Sequence, residues 1–392
     1  MNKNRSTREN DNITRFSVRL RQLRLALGLS MDELVGKIGG VVSKQALSKY
    51  ERALMVPSPS VLAKLASALG IKTVFFFQEP QATFSFLGFR KRSGLGNREQ
   101  KRLQNMLTYE LEKRIRLCAI TNQTNLPVLP LNRFLVRKLE DSERAAENLR
   151  KLWKLGLAPI ANLTRVLEEN GIQVLVIQAH EKFDGISAIA SINSPRIRLG
   201  AVIVRNGLPG DRQRLSLAHE LGHLVLRIAK GCNEEKAVFR FAGAFLAPAE
   251  TLRAMTGNRR TNVTSDELLM LKKQFGISMA AGIYRLHDLG IISNAEARNL
   301  WQYRNAHGWR KVEPEPILEE KPQWIRQVSL RAIAEGLISS DEAERLYGQS
   351  ITKRMEGQRL SPTILMRMPL EQRRRIMAQA VAKYNAVRER ER

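Results

Sequence analysis

Cysteine is nearly missing from this chain: its 392 residues hold only two, Cys118 and Cys232. Two cysteines cannot build a disulfide framework, which excludes the small stapled folds of secreted proteins and suits a reducing compartment. Long apolar runs are missing as well. No stretch approaches the roughly 20 residues that cross a bilayer, and the polar start MNKNRSTREND lacks the apolar core of a secretory leader. A cytoplasmic, nucleoid-associated protein without membrane contact is therefore expected. Acid is also in short supply, since 38 Asp and Glu face 65 Lys and Arg, a formal charge of +27. Such an excess favours a polyanion through counterion release, which makes nucleic acid the first candidate partner, with plain solubility as the other use of the charge. There is no internal repeat of fixed period. What is present is an ordinary hydrophobic fraction of 43%, which argues against wholesale disorder, on a chain long enough for two or three folded units.

The pattern changes several times along the chain. Short amphipathic helical runs broken at Gly28, Gly39-Gly40, Pro57 and Gly70 predict a bundle of small helices over residues 1–80, with the Phe75-Phe76-Phe77 run as its buried end. The Gly-containing basic stretch FSFLGFRKRSGLGNREQKRL and a helical run from Asn105 to Arg116 read as a basic connector, residues 81–145. Residues 146–310 mix helical runs with the strand-like segments IQVLVI, ISAIASI and IRLGAVIV, and then with helices broken at Pro248, Gly257, Gly276 and Gly290, which is an α+β pattern. The proline-bearing VEPEPILEEKP marks a boundary, and residues 311–392 read as a helical, basic C-terminal region. Its last part has an apolar face and an Arg373-Arg374-Arg375 cluster, suited to a solvated helix, to extra DNA contacts or to a protein partner.

Two segments carry functional signals. In the first, a helix from Met31 to Ile38 stops at two glycines, and Ser43 then caps a second helix. Val42, Leu47 and Tyr50 have the spacing of an inward face, which leaves Ser43, Lys44, Gln45, Ser48 and Lys49 toward a DNA groove, where Gln suits base edges and Lys suits bases or phosphates. In the second, His219-Glu220-Leu221-Gly222-His223 places two imidazoles four residues apart, on one helix face, where they can share a zinc ion. Glu220 is then the candidate general base and acid. Leu215, Leu217, Ala218, Leu221, Leu224 and Val225 make this helix apolar and buried, a setting in which unsatisfied His and Glu would be costly. Smaller candidates are Cys232 near the site, and Tyr284, Arg285 and His287 as oxyanion helpers, for all of which packing or surface charge is the competing explanation.

Residues 14 to 77, with Lys49-Tyr50-Glu51-Arg52, Pro59 and Leu65-Ala66, resemble the Xre/lambda-repressor-like helix-turn-helix family, a class that commonly acts as a dimer. Residues 146 to 310 resemble the ImmA/IrrE family of metallopeptidases, through Gly156-Leu157, Phe183-Asp184-Gly185, Arg212-Gln213-Arg214, HELGH, Phe241-Ala242 and Leu246-Ala247-Pro248. That resemblance implies a third zinc ligand from an acid on the helix after HELGH. Counting back from Phe241 and Ala242 favours Glu235, while helical spacing also permits Glu234. The expected protein is multidomain: an all-α lambda-repressor-like module, an α+β zincin-like metallopeptidase domain and a helical C-terminal region. Its expected function is a DNA-binding regulator with a zinc-dependent endopeptidase that cleaves a regulatory protein. The alternative is a non-catalytic repressor or antitoxin whose peptidase-like fold senses a ligand or a toxin-like partner.

Overall fold

Glycine stops and serine caps divide the N-terminal residues into four helices, α1 (Lys3–Ala26), α2 (Met31–Lys37), α3 (Lys44–Glu51) and α4 (Pro59–Ala68). They belong to a computed structural model that describes residues 3–79, 82–87, 96–122, 129–193 and 196–347, together with positions 371, 373 and 374. Ser30, Ser43 and Ser58 each accept a backbone N–H three residues on, and Ser30 forms a full capping box with Glu33. Phe16, Leu20, Leu23, Leu34, Leu47, Tyr50, Leu65 and Phe76 form one core. A 3-10 turn, Thr73–Phe77, closes the bundle: Phe76 is fully buried, whereas Phe77 remains partly exposed at its edge.

The alternating segments form β3 (Ile172–Ile177), β4 (Gly185–Asn193) and β5 (Arg196–Arg205), and the segment read as a connector adds β1 (Ala82–Leu87). The sheet order is β1-β4-β5-β3, with β1 and β5 antiparallel to β4, and β3 parallel to β5. Alternation sends Val174, Val202 and Val204 into one core, and Leu175, Ile177, Ala201 and Ile203 into another. The second face is covered by α5 (Asn97–Ile120) through Leu103, Leu107 and Leu111, spaced by one helical turn. Connector residues thus supply both a strand and a covering helix to the sheet. Helix α1 packs along α5, where the Arg19 Nη1 to Glu112 Oε2 ion pair at 2.5 Å is almost wholly buried. Burial pushes the Glu112 carboxyl above its usual range, against the pull of Arg19.

The first sheet face is covered by helices, beginning with α6 (Asp141–Leu152), α7 (Leu163–Glu169) and α8 (Gly210–Val225). A short parallel pair, β2 (Phe134–Val136) and β6 (Leu226–Ile228), brackets the end of α8. Next come α9 (Glu234–Leu246), α10 (Ala249–Thr256), α11 (Ser265–Phe275), α12 (Met279–Asp288) and α13 (Asn294–Ala306), separated at the expected breaks. The proline-bearing segment does not leave this unit. Gly210 N donates to Ile317 O at 2.9 Å, and a Cβ on Gly210 would sit 2.2 Å from Leu318 O, so only glycine allows the approach. Lys272 lies between Asp211 at 3.0 Å and Glu313 at 3.2 Å, while Glu320 pairs with Arg214 and accepts the Leu163 and Thr164 N–H groups. Helices α14 (Trp324–Ala334) and α15 (Ser340–Tyr347) then pack against Leu117 near the end of α5. The basic amphipathic C-terminal segment lies outside the described residues, apart from three positions. Among the described residues, no helix is long and apolar enough to cross a membrane.

Candidate metal centre and nucleic-acid interface

Helix α8 is buried along most of its length, with Leu217, Ala218, Leu221, Leu224 and Val225 fully enclosed, so the polar residues of HELGH sit inside the protein. His219 and Glu220 are only 2% and 3% exposed. The one-turn spacing brings His219 Nε2 and His223 Nε2 to 3.2 Å from each other. Gly222 between them has a packing role: a Cβ there would come 2.8 Å from Val238 Cγ1 and 3.1 Å from Phe241 Cδ1, so its absence lets α9 lie close.

That close approach places the start of α9 over the two histidines. Asn233 caps α9 by accepting the Lys236 N–H at 3.0 Å, which sets Glu234 and Glu235 in the first turn. Glu235 presents Oε2 at 3.6 Å from His219 Nε2 and Oε1 at 3.8 Å from His223 Nε2. Glu234 reaches the other ring nitrogen, Nδ1 of His223, at 3.3 Å. Sequence spacing left these two acids as alternatives; the fold puts them on different atoms of the same site.

The group His219, His223 and Glu235 can offer one ligand atom each, all within 4.8 Å of one another. Ligand atoms on a tetrahedral zinc, at bond lengths of about 2.0–2.1 Å, stand about 3.3 Å apart. The two imidazole nitrogens, 3.2 Å apart, match that spacing, the two Glu235 oxygens come within 3.6 and 3.8 Å of one imidazole nitrogen each, and two imidazoles with one carboxylate are a donor set that zinc accepts. The residues present therefore fit a metal ion.

Glu220 reaches toward β4. Its Oε2 accepts the Ser187 hydroxyl at 3.1 Å, and a Cβ on Gly185 would lie 3.2 Å from its Cγ. Gly185 is thus the small residue that makes room for the carboxylate, and Ser187, fully buried, orients it. Neither Ser187 nor the role of Glu234 was singled out from the sequence. Ser187 sits on a strand with no motif, identifiable only as the residue two positions past Gly185 on the same face. Arg285 is drawn into structure: it donates to Ala247 O at 2.9 Å and forks onto Glu143. Tyr284 is exposed against Trp301, and His287 pairs with Asn294 at 2.6 Å. Burial pushes the Cys118 thiol up to about 11, which keeps it protonated and inert.

In the N-terminal bundle, α3 presents Ser43, Lys44, Gln45 and Lys49 to solvent, with Ser48 half-buried, while Leu47 and Tyr50 face the core. Ser43 Oγ also accepts the Ala46 N–H at 3.1 Å, so it caps the helix as expected. Lys44 Nζ lies 2.6 Å from Asp32, an exposed pair of a kind worth at most about 1 kcal/mol and weakened by salt. Helix α3 is held at its far end by a buried fork, Arg24 Nε and Nη2 donating to the two oxygens of Glu51 at 2.5 and 2.9 Å. Its exit turn places Ala53 at φ 59°, a left-handed position with a side chain in it.

Comparison with known families matches two stretches of the chain. Residues 20–76 match the helix-turn-helix family, and residues 194–287 match the Peptidase_M78 family, described as an IrrE N-terminal-like domain. The class is therefore a regulator in which a DNA-binding module is joined to a peptidase-like domain. More specifically, the chain fuses an Xre-like helix-turn-helix module to an IrrE/ImmA-like domain. Neither the curated proteins nor the solved structures gave a match.

Proposed function

We propose that the chain is a DNA-binding transcriptional regulator carrying a zinc-dependent endopeptidase that cleaves a regulatory protein. The observation that carries the reading is the convergence of His219, His223 and Glu235 on one side of α8, with Glu220 beside them, held by Ser187. His219, His223 and Glu235 would hold the ion, and Glu234, on Nδ1 of His223, would fix that ring's tautomer and orientation. Zinc bound there would polarise the scissile carbonyl and make a nearby water more acidic. Glu220 accepts the proton of the attacking water and returns it to the leaving amine, which requires a carboxylate held still at the edge of the site. Its bond from Ser187 and the gap at Gly185 supply that position.

For DNA, Lys44, Gln45, Ser48 and Lys49, on a helix capped by Ser43, form the proposed contact surface. Two copies acting on paired half-sites follow from the helix-turn-helix class. Two substitutions in the full chain test the reading. Glu220→Gln should keep metal and fold but lower cleavage of an unfolded protein substrate by at least about a hundredfold. Lys44→Ala with Gln45→Ala should lower specific DNA affinity while leaving metal content unchanged, and affinity should fall steeply with salt. Equal cleavage by Glu220→Gln and the parent chain would contradict the peptidase reading, and equal specific binding by the double variant would contradict the DNA surface.

A further inference from the structure

Strand β1 lies on the outer edge of β4, in antiparallel register from Ala82 opposite Ile192 to Leu87 opposite Ser187. The end of that register meets the candidate active site. Ser187, facing Leu87, is the residue that donates to Glu220, and Gly185, two positions further, is the one whose missing Cβ makes room for the same carboxylate. The β4 edge thus runs straight to the proposed proton carrier, and a segment of the chain itself already fills it.

Extended peptides are commonly bound by strand addition, in which main-chain hydrogen bonds to a sheet edge give affinity and alternate side chains give specificity. The edge beside Glu220 is a surface of this kind, and a peptide added there would lie next to that carboxylate. Strand β1 has the marks of an occupant that can leave. It is six residues long, Thr83 and Ser85 are exposed, Phe84, Phe86 and Leu87 are half-buried, and Ala82 alone is fully covered. Beyond its pairing with β4, Ala82, Phe84 and Phe86 rest on the α5 side of the sheet and Leu87 packs on the other face, which leaves Thr83 and Ser85 uncovered.

Building on the peptidase reading, in which an extended peptide would add to the β4 edge beside Glu220, we propose that strand β1 is a displaceable in-chain plug of that edge. It must leave before the peptide can bind. The proposal concerns edge exchange, so it can be tested without turnover. The probe is a fluorescein-labelled peptide copying residues 82–87, with added lysines for solubility, titrated by anisotropy into the zinc-loaded full chain. Phe84→Ser with Phe86→Ser loosens β1. Thr83→Cys with Ser191→Cys, which are register partners, crosslinks β1 to β4 reversibly. The loosened chain should bind the peptide at least tenfold more tightly than the parent, and the oxidised crosslinked chain should not bind it until reduced. Equal binding by the parent, loosened and oxidised chains would overturn the proposal, as would binding by the oxidised chain that reduction leaves unchanged. If the loosened variant fails to fold, the crosslinked chain before and after reduction decides alone. Peptide exchange without any cleavage would support the exchangeable edge while counting against the peptidase reading.

Discussion

Glu234 Oε1 lies 3.3 Å from Nδ1 of His223, while the opposite ring nitrogen, Nε2, faces His219 Nε2 at 3.2 Å. One imidazole is therefore gripped on one side by a carboxylate and offered on the other to the site. On the proposed reading the two adjacent acids divide into a ligand, Glu235, and a positioning residue, Glu234. Removing Glu235 takes away a donor atom, whereas removing Glu234 leaves all three donors and loosens one ring. Glu234→Gln should weaken zinc affinity by about 10–100-fold, the usual cost of losing an outer carboxylate, and Glu235→Ala should weaken it further. Competitive zinc titration of both variants checks this, and the reverse order would move the ligand role to Glu234.

Gly222 is predicted to be intolerant of even one methyl group. The added carbon of Gly222→Ala would meet Val238 Cγ1 at 2.8 Å and Phe241 Cδ1 at 3.1 Å, forcing α9 away from α8. Overpacking of this kind costs about 1–3 kcal/mol, and here it should also lower zinc affinity, because the start of α9 carries Glu235. Thermal unfolding with and without zinc measures both effects. An unchanged melting temperature would show that the two helices can adjust.

Much of this was readable before any fold was known, for identifiable reasons. The His219 and His223 pair follows from one helical turn, and the sheet strands from β-branched alternation, because both signals are local. The placing of Glu234 and Glu235 was not local, since both occupy the first turn of α9 and only its packing on α8 sets which histidine nitrogen each one faces. Strand β1 was hidden because Phe84 and Phe86 alternate within a short basic stretch with turn-forming glycine. The VEPEPILEEKP segment reads as a boundary by its prolines, yet Glu313 and Glu320 are buried by partners at Lys272 and Arg214, far away in sequence. The fork from Arg24 to Glu51 was missed for the same reason: the two residues are 27 positions apart and meet only in the folded bundle.

Ala53, at φ 59°, should be improved by glycine. A side chain in the left-handed region costs about 1–2 kcal/mol, part of which is offset by the greater freedom of glycine in the unfolded chain. Ala53→Gly should therefore raise stability by ~0.5–1 kcal/mol, with DNA affinity unchanged because the proposed contact helix, α3, ends at Glu51. Denaturant unfolding of the variant and its parent provides the comparison, and a loss of stability would mean that the exit turn does not have this geometry.

The metal content of the purified chain tests the central claim most directly. The geometry of His219, His223 and Glu235 predicts about one zinc per chain, with His219→Ala and His223→Ala each lowering the bound metal to a small fraction while circular dichroism shows the helices retained. Zinc content that is the same in the parent chain and in both histidine variants would contradict the account.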